Sequence, residues 1–202
     1  TMEKNGTIGD LDFFVLHRTS SFMEKWYLKA YDLIKMSVNI SRATLLDPTT
    51  PASILAIQSR YPEILSKMIE FEITESACNI EKATLDHIMD NFRQFGIKFS
   101  LDDFGSHYSN IAIFTNVKFD TVKLDRSLIN ELASNEANRL LVKNIIQICQ
   151  KGNIVCVAEG VETKAQVATL LEIGCAICQG YYYSKPLPVK EFEQKWLNNG
   201  GN

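Results

Sequence analysis

The order of secondary-structure signals predicts an α/β fold, a parallel (βα)8 (TIM) barrel that is incomplete in this chain, with about six βα units. Three observations carry the prediction. Short apolar runs of strand character alternate with helix-period segments along the chain, an order that calls for a parallel sheet with right-handed crossovers. The runs end in polar residues: Asn39; Glu72; Asp102 and Asp103; Lys123 and Asp125; Glu159 and Glu162; Gln179. A (βα)8 barrel builds its active site at that rim, from the C-terminal ends of several strands. Finally, the 202 residues fall short of the roughly 250 of a typical barrel by about two units.

Each element has its own signal. Leu11, Phe14, Val15, Phe22 and Trp26 recur at helical spacing near residues 10–30, with Asp10 as a cap. Residues 34–41 read as a strand carrying Asn39 near its end, where a lone Asn either bonds loop backbone or serves a site. Pro48 and Pro51 mark a loop over 47–53, and a helix follows over 54–59. The 69–75 strand alternates, with Glu70, Glu72 and Thr74 on one face and Phe71, Ile73 and Glu75 on the other. Asn79 is expected to cap a helix with Leu85, Ile88, Met89 and Phe92 on its apolar face, ended by Gly96. Strands at 97–101 and 121–125 follow. A helix over about 135–151 should bury Leu141, Ile145 and Ile148. The all-apolar 153–158 strand reads as buried on both sides. Thr163 and Gln166 form a capping box, a sixth strand spans 176–183, and Pro186 and Pro188 precede a closing helix with Phe192 and Trp196.

Composition narrows the function classes. With 46% hydrophobic and 22% charged residues and a net charge of −3, residues 1–202 read as one globular domain. That balance supplies no broad attraction to a nucleic acid polymer or to anionic lipid. No apolar run approaches the roughly 20 residues of a membrane span, and no signal peptide opens the chain. The five cysteines, odd in number and mostly in apolar surroundings, read as reduced thiols of a cytoplasmic domain. Cys175 and Cys178 have redox or zinc spacing, yet no second Cys or His pair lies near them in sequence. The opening Thr1-Met2-Glu3 reads as a cut inside something longer.

The chemistry centres on Asp102-Asp103-Phe104-Gly105. On a regular strand adjacent side chains diverge; at a strand end that turns into a loop, both can reach one cavity. Two carboxylates aimed at one spot repel unless a divalent cation or a shared proton lies between them. Asp-Asp before glycine is also an ordinary turn. Lys123, inside a short apolar strand, is costly to bury unpaired, so it either snorkels outward or faces carboxylates.

IEFEITES, LDDFGSHYSN, VKLDRSLI, VAEGVETKAQ and CQGYYYSKPLP, in this order and spacing, resemble the EAL-type cyclic di-GMP phosphodiesterase domain over nearly the whole chain. The resemblance implies a modified (βα)8 barrel, here its C-terminal three-quarters. It implies hydrolysis of cyclic di-GMP to linear pGpG in bacterial signal transduction, with two Mg2+ or Mn2+ ions. By motif, Asn39, Glu72 and Asp102 would hold the first metal, and Asp102 would bridge to a second that Asp103 also holds. Glu159 would position or deprotonate the attacking water, with Lys123 and Gln179 nearby. Asp125 and Glu162 would support the site or the ligand, and Glu75 would anchor the loop after the Asp pair. An all-oxygen donor set suits Mg2+ or Mn2+ over zinc.

The same resemblance allows a homodimer and an upstream GGDEF or sensor domain, with membrane tethering only through upstream segments. Two departures set the alternative of a catalytically degenerate cyclic di-GMP sensor or protein-interaction domain. The Glu-Ala-Leu stretch, whose Glu is a family metal ligand, is not in this sequence, so the segment alone is expected to be incomplete. In the loop, Ser106, His107 and Asn110 stand where the family has Thr, Gly and Ser, and histidine restricts backbone that glycine leaves free. An enolase-like Mg2+ lyase fits the rim carboxylates and the lysine, but not the motifs.

Overall fold

The computed structural model describes residues 7–31, 34–78, 80–106 and 116–197. The chain divides into two compact units. One comprises residues up to Ile73, Ala77–Phe99 and from Leu187 on; the other comprises Thr74–Ser76 and Ser100–Pro186.

In the first unit, α1 (Ile8–Leu28) is followed by β1 (Met36–Asn39), α2 (Arg42–Leu46), α3 (Thr50–Arg60), α4 (Leu65–Met68), β2 (Ile69–Thr74) and α5 (Lys82–Arg93). α1 buries Asp12, Leu16, Ser20, Met23 and Trp26, while Leu11, Phe14 and Val15 are exposed. Of the apolar face expected there, Trp26 is the buried member, because a polar stripe has its own partners. Asp12 accepts from the Thr44 hydroxyl at 2.6 Å and from the Ser41 amide at 2.9 Å, and Ser20 donates to the Leu16 carbonyl. Asp10 lies in the first turn of α1; the N-cap is Thr7.

The loop expected over 47–53 is shorter. Pro51 sits at the start of α3, where a missing N–H costs nothing and the fixed φ suits the helix. The short α2, which the sequence reading did not contain, is capped by the Ser41 side chain. β1 pairs in parallel with β2, placing Asn39 opposite Glu72. Phe71, Phe92 and Phe99 form a cluster with ring centroids 6.0–6.2 Å apart. α5 buries Leu85, Met89 and Phe92 as expected; the expected cap, Asn79, lies outside the described residues. The chain's last turns, α9 (Val189–Phe192, numbered in chain order with the helices below) and a π-type turn over Glu193–Leu197, return to this unit. There Phe192 stacks on Trp26, whose indole N–H donates to Glu193.

The second unit holds most of β3 (Lys98–Phe104), then β4 (Thr121–Leu124), α6 (Arg126–Asn130), α7 (Glu136–Lys151), β5 (Val155–Ala158), α8 (Lys164–Glu172) and β6 (Ile177–Cys178). Its strands pair in parallel in chain order. α7 buries Val142, Ile145, Ile146 and Cys149, and leaves Leu141 and Ile148 about half exposed. The sequence offers two overlapping apolar stripes on this helix, and the fold uses the one through Val142. The fifth strand is not buried on both sides: Val155 is exposed, and Cys156 and Val157 are half-buried. β-Branched residues favour a pleated strand whether or not it is covered. The sixth strand is two residues long rather than the expected eight. Gly180 ends it at φ +158°, so close to Val161 that a Cβ would lie 2.2 Å from the Val161 carbonyl oxygen.

Candidate functional site

β3 runs through both aspartates instead of stopping at Leu101. Leu101 pairs with Val122 and Phe104 with Leu124, so Asp102 and Asp103 together oppose the single residue Lys123. This is a β-bulge, in which one strand carries an extra residue and its side chains are re-aimed. Asp103 takes it up at φ +55°, a left-handed conformation that Asp adopts more readily than most residues. The bulge removes the alternation that would otherwise turn adjacent carboxylates apart. Oxygens of Asp102, Asp103 and Glu159 all lie within 4.8 Å of one another.

Lys123 points into this group. Its ammonium donates to Asp102 Oδ1 at 2.9 Å and pairs with Glu159 Oε1 at 2.8 Å. The lysine is 6% exposed, so its cost of burial is offset by two charged partners. Of the readings open at the sequence level, facing carboxylates is the one observed. Lys123 against the carboxylates of Asp102, Asp103 and Glu159 leaves a negative excess within this group of described residues, built from hard oxygen donors that suit a divalent cation.

The parallel ladder continues one residue past each strand and so aligns the site. The amide of Asp125 donates to the Phe104 carbonyl, that of Glu159 to Leu124, and that of Gln179 to Ala158. A cavity of about 280 Å³ beside the carboxylates is lined by Asp125, Arg126, Glu159, Gly160, Glu162, Gln179, Gly180 and Tyr181. Asp125 caps α6 by accepting from the Ser127 amide at 2.8 Å. Glu162 pairs with Arg126 at 2.9 Å. Arg126 and Tyr181 were missed by the sequence reading. The signal for Arg126 was a cation placed directly after a strand-end aspartate; Tyr181 had none, because three consecutive tyrosines read as strand.

Asn39 and Glu72 belong to the first unit, side by side at the ends of β1 and β2, and Glu72 is buried. Glu75 opens a 3-10 turn, Glu75–Cys78. The loop it was expected to anchor, including His107 and Asn110, lies outside the described residues. Among the described residues, no helix is long and apolar enough to cross a membrane.

A family model described as the EAL domain matches residues 1–186. The cyclic di-GMP phosphodiesterase NbdA of Pseudomonas aeruginosa is 32% identical, over 95% of this chain and 24% of its own length. The cyclic di-GMP phosphodiesterase PdeR of Escherichia coli is 31% identical, over 95% of this chain and 29% of its own. The chain thus spans about a quarter of the length of the curated relatives it matches. Among solved structures, the PaMucR phosphodiesterase–c-di-GMP complex superposes with a TM-score of 0.85 at 28% identity, covering 95% of this chain and 77% of that one. The EAL domain of Mycobacterium smegmatis DcpA gives 0.84 at 28% identity, covering 92% and 83%. The fold is accordingly the TIM-barrel type of these neighbours, with six parallel strands described here. By its family match, its relatives and its fold, the chain belongs to the EAL domain family.

Proposed function

We propose that this chain is the catalytic part of a cyclic di-GMP phosphodiesterase that opens one phosphodiester to give linear pGpG with two divalent ions, Mg2+ or Mn2+. The observation that carries the reading is the bulged Asp102-Asp103 pair, which meets Glu159 within 4.8 Å and shares Lys123 with it. Relatives named as cyclic di-GMP phosphodiesterases and a neighbour solved as a c-di-GMP complex support the substrate.

Asp102 and Asp103 would hold the ions; by the family motif, Asn39 and Glu72 are ligands as well. Such ions, when bound, polarise the phosphate and lower the pKa of a bound water. The chain's own groups supply the rest. Glu159, held at one oxygen by Lys123, accepts the proton of the attacking water at the other. Lys123 keeps a positive charge beside the carboxylates, where negative charge accumulates on the phosphoryl oxygens in the transition state. Gln179, Asp125 and the Arg126–Glu162 pair border the cavity, where they can orient a guanine or ribose by hydrogen bonds. The setting is the cytoplasm, where cyclic di-GMP is made and read; the partners, a homodimer mate or an upstream GGDEF or sensor domain, follow the family pattern.

The test is incubation of the longer parent protein that carries this chain with cyclic di-GMP and Mg2+ or Mn2+, with pGpG followed by chromatography. Turnover that EDTA abolishes, and that Glu159→Gln lowers about 10²–10⁴-fold, supports the enzyme. Tight binding without pGpG, in either metal, would establish a sensor instead.

A further inference from the structure

Gln166 stands in the first turn of α8 and is 7% exposed. Its sequence signal accounts for half of what it does. A capping box needs the N-cap hydroxyl on the third amide of the helix and the third side chain back on the N-cap amide. Both are present: the Gln166 amide donates to Thr163 Oγ1 at 3.2 Å, and the Thr163 amide donates to Gln166 Oε1 at 2.9 Å. Two further bonds lie outside that motif. The amide of Glu162 donates to the same Oε1 at 2.8 Å, and Gln166 Nε2 donates to the Ile129 carbonyl, in α6, at 3.4 Å.

These two bonds join the pieces of backbone that carry the cavity lining. Asp125 and Arg126 lie at the start of α6, and Glu159, Gly160 and Glu162 lie in the connection between β5 and α8. α6 is fixed from behind, since Asn138 Nδ2 donates to the Leu128 carbonyl at 2.6 Å. On its β6 side the connection is fixed too, because the Val161 amide donates to the Gln179 carbonyl at 3.0 Å. Towards α6, the Arg126–Glu162 ion pair is 55% and 39% exposed, too open to water to set a spacing. Spacing matters here, because a Cβ on Gly160 would lie 2.5 Å from Arg126 Cγ. Gln166 supplies a buried link across that gap.

We propose that Gln166 is a positioning residue for substrate binding: through the Glu162 amide and the Ile129 carbonyl it sets the distance at which Glu162 and Arg126 face one ligand. The inference rests on the reading of this cavity as part of the cyclic di-GMP site, and adds what keeps its two walls in register. Gln166 acts through backbone and not by touching the ligand.

Binding should feel its loss more than chemistry does. The Glu159 amide is held by the Leu124 carbonyl at 3.0 Å and the Glu159 carboxylate by Lys123 at 2.8 Å, and neither bond passes through Gln166. Losing the link should therefore raise KM and the dissociation constant roughly 10–10²-fold, the scale of a displacement of about an ångström. A rise in KM with kcat little changed is the signature of lost binding common to ground and transition states.

The experiment uses the longer parent protein that carries this chain, with cyclic di-GMP and Mn2+. Steady-state kinetics gives kcat and KM, and calorimetric titration in a Glu159→Gln background gives the dissociation constant with turnover slowed. Gln166→Glu is the deciding variant. Glu serves a capping box as well as Gln does, so α8 stays capped, but an ionised carboxylate cannot donate to Ile129. Thr163→Ala is its complement, removing the cap hydroxyl while keeping both bonds outside the capping box. Gln166→Glu and Gln166→Met should both weaken binding by the stated factor, and Thr163→Ala should bind like the unmutated parent, with circular dichroism confirming that each is folded. Gln166→Glu that binds like the parent, Thr163→Ala that loses binding as strongly as Gln166→Met, or a fall in kcat at unchanged KM would overturn the proposal. If the parent binds cyclic di-GMP without cleaving it, the titration alone decides; if it does not bind, the reading of the cavity fails and this inference with it. If Gln166→Met fails to fold, Gln166→Glu and Thr163→Ala carry the decision.

Discussion

Replacing Lys123 by Met removes a cation that pairs with both Asp102 and Glu159. At 2.9 and 2.8 Å, each attraction is about 6 kcal/mol at an effective dielectric constant of about 20. Much of that is cancelled by the cost of taking the charges out of water. The two carboxylates have oxygens within 4.8 Å, so once the lysine is gone they repel by roughly 3 kcal/mol at the same dielectric constant. Removing one member of a buried ion pair costs about 3–5 kcal/mol, or a fall in Tm of about 6–20 °C at roughly 2–4 °C per kcal/mol. The assay is calorimetry of Lys123→Met and wild type, each in EDTA and in millimolar Mg2+ or Mn2+. The variant should melt lower in EDTA, and the divalent ion should raise its Tm more than that of wild type, because the ion replaces the missing charge. Lys123→Met combined with Glu159→Gln should recover part of the loss. A Lys123→Met protein that melts with wild type in EDTA and ignores divalent ions would refute the electrostatic argument.

Gly180→Ala should lower stability by about 1–3 kcal/mol, since its Cβ would meet Val161 backbone at 2.2 Å; denaturant titration reads the loss. Phe99→Ala should cost about 3–5 kcal/mol, because Phe99 is fully buried against Phe71 and Phe92; the same titration checks it. Arg126→Ala should leave the melting midpoint within about 4 °C, since its pair with Glu162 is largely exposed and such pairs contribute about 0–1 kcal/mol, at roughly 2–4 °C per kcal/mol. In the proposed site it should raise KM for cyclic di-GMP more than it lowers kcat, as steady-state kinetics would show.

The parallel βα order was legible because apolar runs and helix periods alternate too regularly for any other class, and caps such as Thr163 with Gln166 are written in local chemistry. The strand-end positions of Asn39, Glu72, Lys123, Glu159 and Gln179 followed from the same reading, since a strand's end is where its apolar run stops. Local signals failed where a residue had two equivalent uses. The stripe on α7 could pass through Leu141 or Val142, Pro51 could break or start a helix, and the tyrosines after Gly180 could extend a strand or leave it.

The sequence by itself determined which side chains stand at the strand ends, because side-chain period and strand length are local properties. Only the tertiary structure decided where those side chains converge. The extra residue in β3 is visible only in its register against β4, and it alone lets two adjacent aspartates share one place with Glu159 and Lys123. Contacts between segments distant in sequence depend on pairing register, which the hydrophobic pattern of a strand constrains only together with that of its partner.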